Sequence, residues 1–91
     1  MKRRSKLEIY LDVLKAVSET NKLTHIGNMA NLSWKDAVKH LSFLKRRGFV
    51  EAVKTKNGRE EYRLTKKGLE ALETLQKITN ALTPKKTAIA V

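Results

Sequence analysis

Residues 33–68 read SWKDAVKHLSFLKRRGFVEAVKTKNGREEYRLTKKG, and this stretch decides the fold. Ser33-Trp34-Lys35-Asp36 has the form of a capping box: the Ser33 hydroxyl is placed to accept an orphan backbone N–H, and Asp36 sits near the positive end of the helix dipole. A helix therefore starts at Ser33. It runs to Arg47, because Gly48 is the residue type that closes a helix in a left-handed conformation. Phe49-Val50-Glu51-Ala52-Val53 is strand-like, Lys54 to Glu60 carries an Asn57-Gly58 turn, and Glu61-Tyr62-Arg63-Leu64 returns as a second strand. A capped basic helix, a turn, a hairpin with a charged tip and the start of another helix follow without a gap.

At 100° per residue, Trp34, Ala37, Val38, Leu41 and Leu44 share one face of that helix, and Lys35, Lys39, Ser42 and Arg46 lie off it. The first group is expected to pack against the preceding helices and the second to face solvent or a ligand. Phe43 falls nearly opposite the core stripe, which a simple amphipathic helix does not explain.

Upstream, Met1 to Arg4 is a basic arm. Ser5-Lys6-Leu7-Glu8 is a second capping box, and Leu7, Tyr10, Leu11, Leu14 and Val17 follow at helical spacing, widened by Ile9 and Val13. This first helix is expected to be buried on more than one face. Glu19 to Lys22 connects it to a short helix, capped by Thr24 and ending near Ala30, whose apolar residues are Ile26, Met29 and Ala30. Asn31-Leu32 is then the turn before Ser33. Downstream, Thr65 caps a last helix that reaches about Leu82. Leu69 and Leu72 form one apolar line on it, expected to pack on the domain. Ala71, Leu75, Ile78 and Leu82 form a second line with the spacing of a coiled-coil seam, expected to pair with the same helix of a second subunit. Pro84 ends the helix, and 83–91 reads as a loose tail.

The predicted class is mainly α with a small β-hairpin (α+β), a winged helix-turn-helix with an additional C-terminal helix. Its expected parts are a basic arm (1–4), the winged domain (5–65), a dimerisation helix (66–82) and the tail (83–91).

Composition points the same way. Lys and Arg number 20 against 9 Asp and Glu, a formal net charge of +11 in 91 residues, and such an excess needs an anionic counterpart or screening by salt. Nucleic acid is the usual one. No apolar run approaches the roughly 20 residues of a membrane helix, and no charged-then-apolar leader is present, so the expectation is a cytoplasmic, nucleoid-associated protein without membrane contact. The chain has no cysteine, which excludes disulfides and thiolate metal sites. His25 and His40 have no ligand set around them. A phosphate-cradling Gly-rich loop and converging acids are missing as well, and Glu60-Glu61 alternates across a strand. The reading is a non-enzyme with no cofactor, no metal and no small-molecule substrate.

Lys35 and Lys39 are the first candidates for base or phosphate contact in a major groove, and Ser42 and Arg46 continue that side. The bland alternative is a solvated face. Lys54, Lys56 and Arg59 charge the hairpin tip, which can reach flanking phosphates or a minor groove; arginine is the side chain most often drawn into a narrow one. Alternatively, these lysines only discourage edge-to-edge pairing. Arg3 and Arg4 can lie along the backbone or merely add to the field. Trp34 is expected to pack, with base stacking the lesser reading. Tyr62 is expected in the core of the wing, His40 at the surface, and His25 as a polar residue of the second helix.

Arg3-Arg4-Ser5-Lys6-Leu7-Glu8-Ile9, Asn31-Leu32-Ser33-Trp34-Lys35 and Tyr62-Arg63-Leu64-Thr65-Lys66-Lys67-Gly68 together carry a family likeness. Over Arg3 to Ile78 the chain resembles the small archaeal winged-helix DNA-binding proteins, among them basic chromatin-associated proteins that dimerise through a C-terminal antiparallel coiled coil. The resemblance implies a homodimer with two surfaces for double-stranded DNA, acting in transcription regulation or chromatin organisation. From the residues alone, a protein-interaction module or a binder of structured RNA stays open.

Overall fold

Four helices and an antiparallel hairpin follow one another as α1 (Lys6–Glu19), α2 (Leu23–Met29), α3 (Trp34–Arg46), β1 (Val50–Lys54), β2 (Glu60–Leu64) and α4 (Lys66–Leu82). They come from a computed structural model whose described residues are 4–82. The tail at 83–91, and the arm as far as Arg3, lie outside the described residues.

Local chemistry accounts for where most elements begin and end. The Ser5 hydroxyl accepts from the Glu8 N–H at 3.1 Å, and the Glu8 carboxylate accepts from the Ser5 N–H at 2.8 Å, a complete capping box for α1. Ser33 caps α3 through the Asp36 N–H. Both helices of the helix-turn-helix pair then stop in the same way. Asn31 and Leu32 donate to Asn28 and Gly27, and Gly48 and Phe49 donate to Lys45 and Leu44, each pair of bonds closing around a left-handed residue: Asn31 at φ 57° and Gly48 at φ 83°. These are Schellman closures, one built on asparagine and one on glycine.

The start of α2 departs from expectation. Thr24 does not cap it; the helix begins at Leu23 behind Lys22, which makes no side-chain cap. The wing holds this end instead. Lys22 forms an isolated bridge with Glu61, and the Tyr62 N–H donates to the Asn21 carbonyl at 2.9 Å. A helix of seven residues has little stability of its own, so these contacts and the fully buried Ile26 keep it in place.

The core joins Val13, Leu14 and Val17 of α1 with Ile26, Leu41, Leu44, Val50, Tyr62 and Leu72. Several residues of the expected apolar faces are outside, Leu7 at the start of α1 (64% exposed) among them. Trp34 is 67% exposed and Leu69 is 49% exposed. Trp34 stands at the first position of α3, a turn ahead of the buried Ala37, where the core does not cover it. Leu69 is displaced by its neighbour. Gly68 lies directly against the Phe49 backbone, which turns the line of Gly68 and Leu72 inward and sets Leu69 about 100° away from Gly68.

That contact belongs to a clamp. The Thr65 hydroxyl accepts from the Gly68 N–H at 3.0 Å, so capping α4, and donates to the Gly48 carbonyl at 2.6 Å. The Thr65 N–H donates to the Phe49 carbonyl, and the Lys67 ammonium reaches the Arg47 carbonyl while lying 4.7 Å from the Phe49 ring centre. The first turn of α4 thereby grips the turn between α3 and β1. It sets the angle between helix, wing and C-terminal helix in one place.

The hairpin pairs Val50 with Leu64 through Lys54 with Glu60. Its tip turns at Asn57-Gly58, within the expected Lys54 to Glu60 segment. The turn closes from the Gly58 N–H to the Thr55 carbonyl, and Gly58, at φ 79°, is the left-handed residue that follows it.

Candidate nucleic-acid interface

On α3, Lys35, Lys39, Ser42 and Arg46 fall within about 60° of one another at helical pitch. Lys35, Lys39 and Arg46 are exposed and Ser42 is half-buried at the edge of the same face. The hairpin presents Lys54, Lys56 and Arg59, all exposed, at its far end. Ion pairs among the described residues are Arg4–Asp12 and Arg63–Glu51, so none of these six cations is neutralised by a neighbouring carboxylate. Two elements held by one clamp thus each present exposed cations that form no ion pair among the described residues.

Other basic residues are committed to structure. Arg4, expected with the basic arm as a DNA contact, is engaged by groups within the fold. One guanidinium nitrogen donates to Asp12 at 2.8 Å and to the Ala30 carbonyl at 2.7 Å, and the other donates to the Asn31 carbonyl at 3.0 Å. It ties α1 to the turn of the helix-turn-helix pair. Arg3 lies outside the described residues. The Arg47 guanidinium lies 5.3 Å from the centre of the Phe43 ring, and Lys67 serves the clamp. Arg63 pairs with Glu51 across the hairpin at 2.8 Å.

Phe43 finds its explanation in α1. Its ring stacks on Tyr10 at 5.3 Å between centroids and 12° between planes, so α3 is covered on a second side by the first helix. With Leu7, Phe49, Ala71 and Leu75, these rings line an open apolar groove between α1, α3 and α4. Ala71 and Leu75 are half-buried in this groove, whereas Ile78 at 50% and Leu82 at 79% exposure continue the seam into solvent. The sequence signal for the groove was Phe43 itself, the one apolar residue out of register with its helix.

His40 is half-buried, edge-on to the Tyr10 ring at 5.8 Å. Burial, followed by the positive charge of Lys39, lowers its pKa below the ordinary imidazole value, against a smaller opposing effect of Asp36. The unfolded chain accepts a proton near pH 6.5 while the fold still resists it, so stability falls as pH drops through that value and levels off below the folded pKa. His40→Gln is expected to flatten the change in urea midpoint between pH 7.5 and 5.5; an unchanged pH dependence would remove His40 as its source. Tyr62, buried as expected, donates its hydroxyl to Glu60 at 3.3 Å. Burial, with the Glu60 charge second, raises its pKa.

Residues 3–83 match the family model described as winged helix-turn-helix. Among solved structures, Sso10a-2, a DNA-binding protein from Sulfolobus solfataricus, is similar at a TM-score of 0.77 and 24% identity, over 86% of this chain and 81% of that one. The PcaV transcriptional regulator from Streptomyces coelicolor, solved with its natural ligand, is similar at 0.64 and 24%, over 96% of this chain and 68% of that one. CouR, a transcriptional repressor solved on a 23-mer DNA duplex, is similar at 0.69 and 22%, over 77% of this chain; the aligned part spans about half of CouR's length, 52%. At these identities the likeness is one of fold. No curated protein matches the chain in sequence.

Proposed function

Since this chain belongs to the winged helix-turn-helix family, we propose that it binds double-stranded DNA as a homodimer. α3 enters the major groove and the wing tip lies on adjacent backbone or in a minor groove. The role is that of a transcription regulator or a chromatin-organising protein on the chromosome in the cytoplasm. No helix of the described residues is long and apolar enough to cross a membrane. The observation that carries the reading is the exposed face of Lys35, Lys39, Ser42 and Arg46, whose cations, like those of the wing tip, form no ion pair among the described residues.

A groove about 12 Å wide admits one helix, with its N-terminal half toward the base edges. Lys35 and Lys39 belong to that half and reach base edges or the phosphates beside them; Arg46 and the wing cations reach phosphates. Six phosphate contacts per protomer correspond to a slope of about −5 in log affinity against log salt. Anisotropy titration of a labelled random duplex and an equal-length single-stranded RNA across a salt series tests this. Tight duplex binding with a linear salt dependence supports the reading, and absent duplex binding at low salt refutes it in favour of a protein or RNA partner. A site preferred by roughly 10³ or more over random duplex marks a regulator; a much smaller ratio marks an architectural protein.

The dimer rests on α4. Leucine and isoleucine exposed at its far end, continuous with the groove at Ala71 and Leu75, leave a small domain with apolar surface to bury. Leu75→Lys with Ile78→Lys is expected to yield monomers by sedimentation equilibrium. A mutant that stays dimeric would assign the association to another surface.

A further inference from the structure

The chain has five aromatic residues, and Tyr10, Phe43, Phe49 and Tyr62 are all buried or half-buried. Trp34 alone stands in solvent, 67% exposed. It is the first residue of α3, immediately after the Ser33 cap, so it occupies the end of the reading helix that points at base edges when such a helix enters a major groove. Side chains of a helix lean toward its N-terminus. The indole therefore projects ahead of the helix, beside Lys35 and five residues ahead of Lys39.

Tryptophan carries a large apolar surface with one polar N–H, and leaving it in water forfeits that burial. Whatever covers it must also accommodate Lys35 next to it, which forms no ion pair among the described residues. A DNA major groove offers both chemistries together: phosphates along its walls and, on its floor, one apolar group, the C5-methyl of thymine. An apolar protein surface satisfies only the indole.

We infer that Trp34 is a specificity-determining residue that covers thymine methyl groups in the major groove. The assignment rests on the DNA-binding reading above and adds to it a preference for T-bearing steps under the start of α3.

The test uses the full chain, whose single tryptophan makes intrinsic fluorescence a report on Trp34 alone. An A·T-containing duplex is compared with the same duplex carrying deoxyuridine for thymidine, which keeps base pairing and removes the methyls. Affinity is read from anisotropy of the labelled DNA and the indole environment from its emission. Expected are an emission change that saturates with anisotropy, a loss of roughly fourfold in affinity per methyl removed, and a Trp34→Ala variant that melts like the parent but binds both duplexes equally. Emission that stays constant while the duplex binds overturns the assignment and leaves DNA binding standing. So does an emission change with equal affinity for both duplexes, which would put the indole on backbone or sugar. A large drop in the melting temperature of Trp34→Ala would show a packing residue and overturn it as well. If anisotropy detects no duplex binding, the DNA-binding reading fails together with it.

Discussion

Gly68→Ala is expected to cost about 3 kcal/mol or more, beyond the usual 1–3 kcal/mol of an overpacked core position. A Cβ at residue 68 would overlap the Phe49 carbonyl oxygen and stand 2.9 Å from its carbonyl carbon and 3.3 Å from its Cα. These are backbone atoms, which cannot swing aside as a side-chain tip can. The first turn of α4 would have to lift off the turn after α3, and the Thr65 and Lys67 contacts would lengthen or break with it. Against a total stability of about 5–14 kcal/mol for a chain of this size, the melting temperature is expected to fall by roughly 15 °C or more. Gly58→Ala is the control. Its Cβ meets nothing within 4 Å, but its φ of 79° penalises any side chain, so about 1–2 kcal/mol is expected. Urea midpoints followed by circular dichroism measure both. A Gly68→Ala protein as stable as Gly58→Ala would show that the close approach is not needed to hold α4.

The second large effect is on binding. Lys35→Ala, Lys39→Ala and Arg46→Ala together are expected to lower duplex affinity by roughly 10²–10³ at 0.1 M salt. That follows from about tenfold for each charged hydrogen bond or phosphate contact removed. The slope of log affinity against log salt should shrink by about 2.7, the share of three phosphates. All three side chains are exposed, so the melting temperature should stay within a few degrees of the parent. Lys67→Ala is the informative contrast. Its ammonium holds the Arg47 carbonyl and lies over Phe49, so it should cost more in melting temperature than in affinity. If the triple variant binds duplex normally, α3 is not the DNA-facing element.

The Tyr62-x-Leu64-Thr65-x-x-Gly68 run shows why a motif can be visible before its purpose is. Its threonine was readable as a helix cap, because a cap acts across three residues. Its glycine was not readable as a packing requirement, because the atom it avoids belongs to Phe49, on the far side of the hairpin. Arg4 has the same character: its charge suggested an arm for DNA, while its partners Ala30 and Asn31 come from a turn separated from it by two helices.

The sequence by itself determined the order of elements, the caps at Ser5, Ser33 and Thr65, the glycine stop at Gly48, the wing, and the cationic face of α3. Each depends on bonds or periodicity spanning a few residues, where backbone geometry leaves few choices. Tertiary structure alone decided that Trp34 and Leu69 stand outside, that Phe43 lies on Tyr10, that the wing rather than Thr24 holds the start of α2, and that Arg4 ties α1 to the turn of the helix-turn-helix pair. Burial depends on how far and at what angle a neighbouring element extends. Here that angle is set by contacts such as Thr65 to Gly48 and Arg4 to Asn31, 17 and 27 residues apart, which no local pattern encodes.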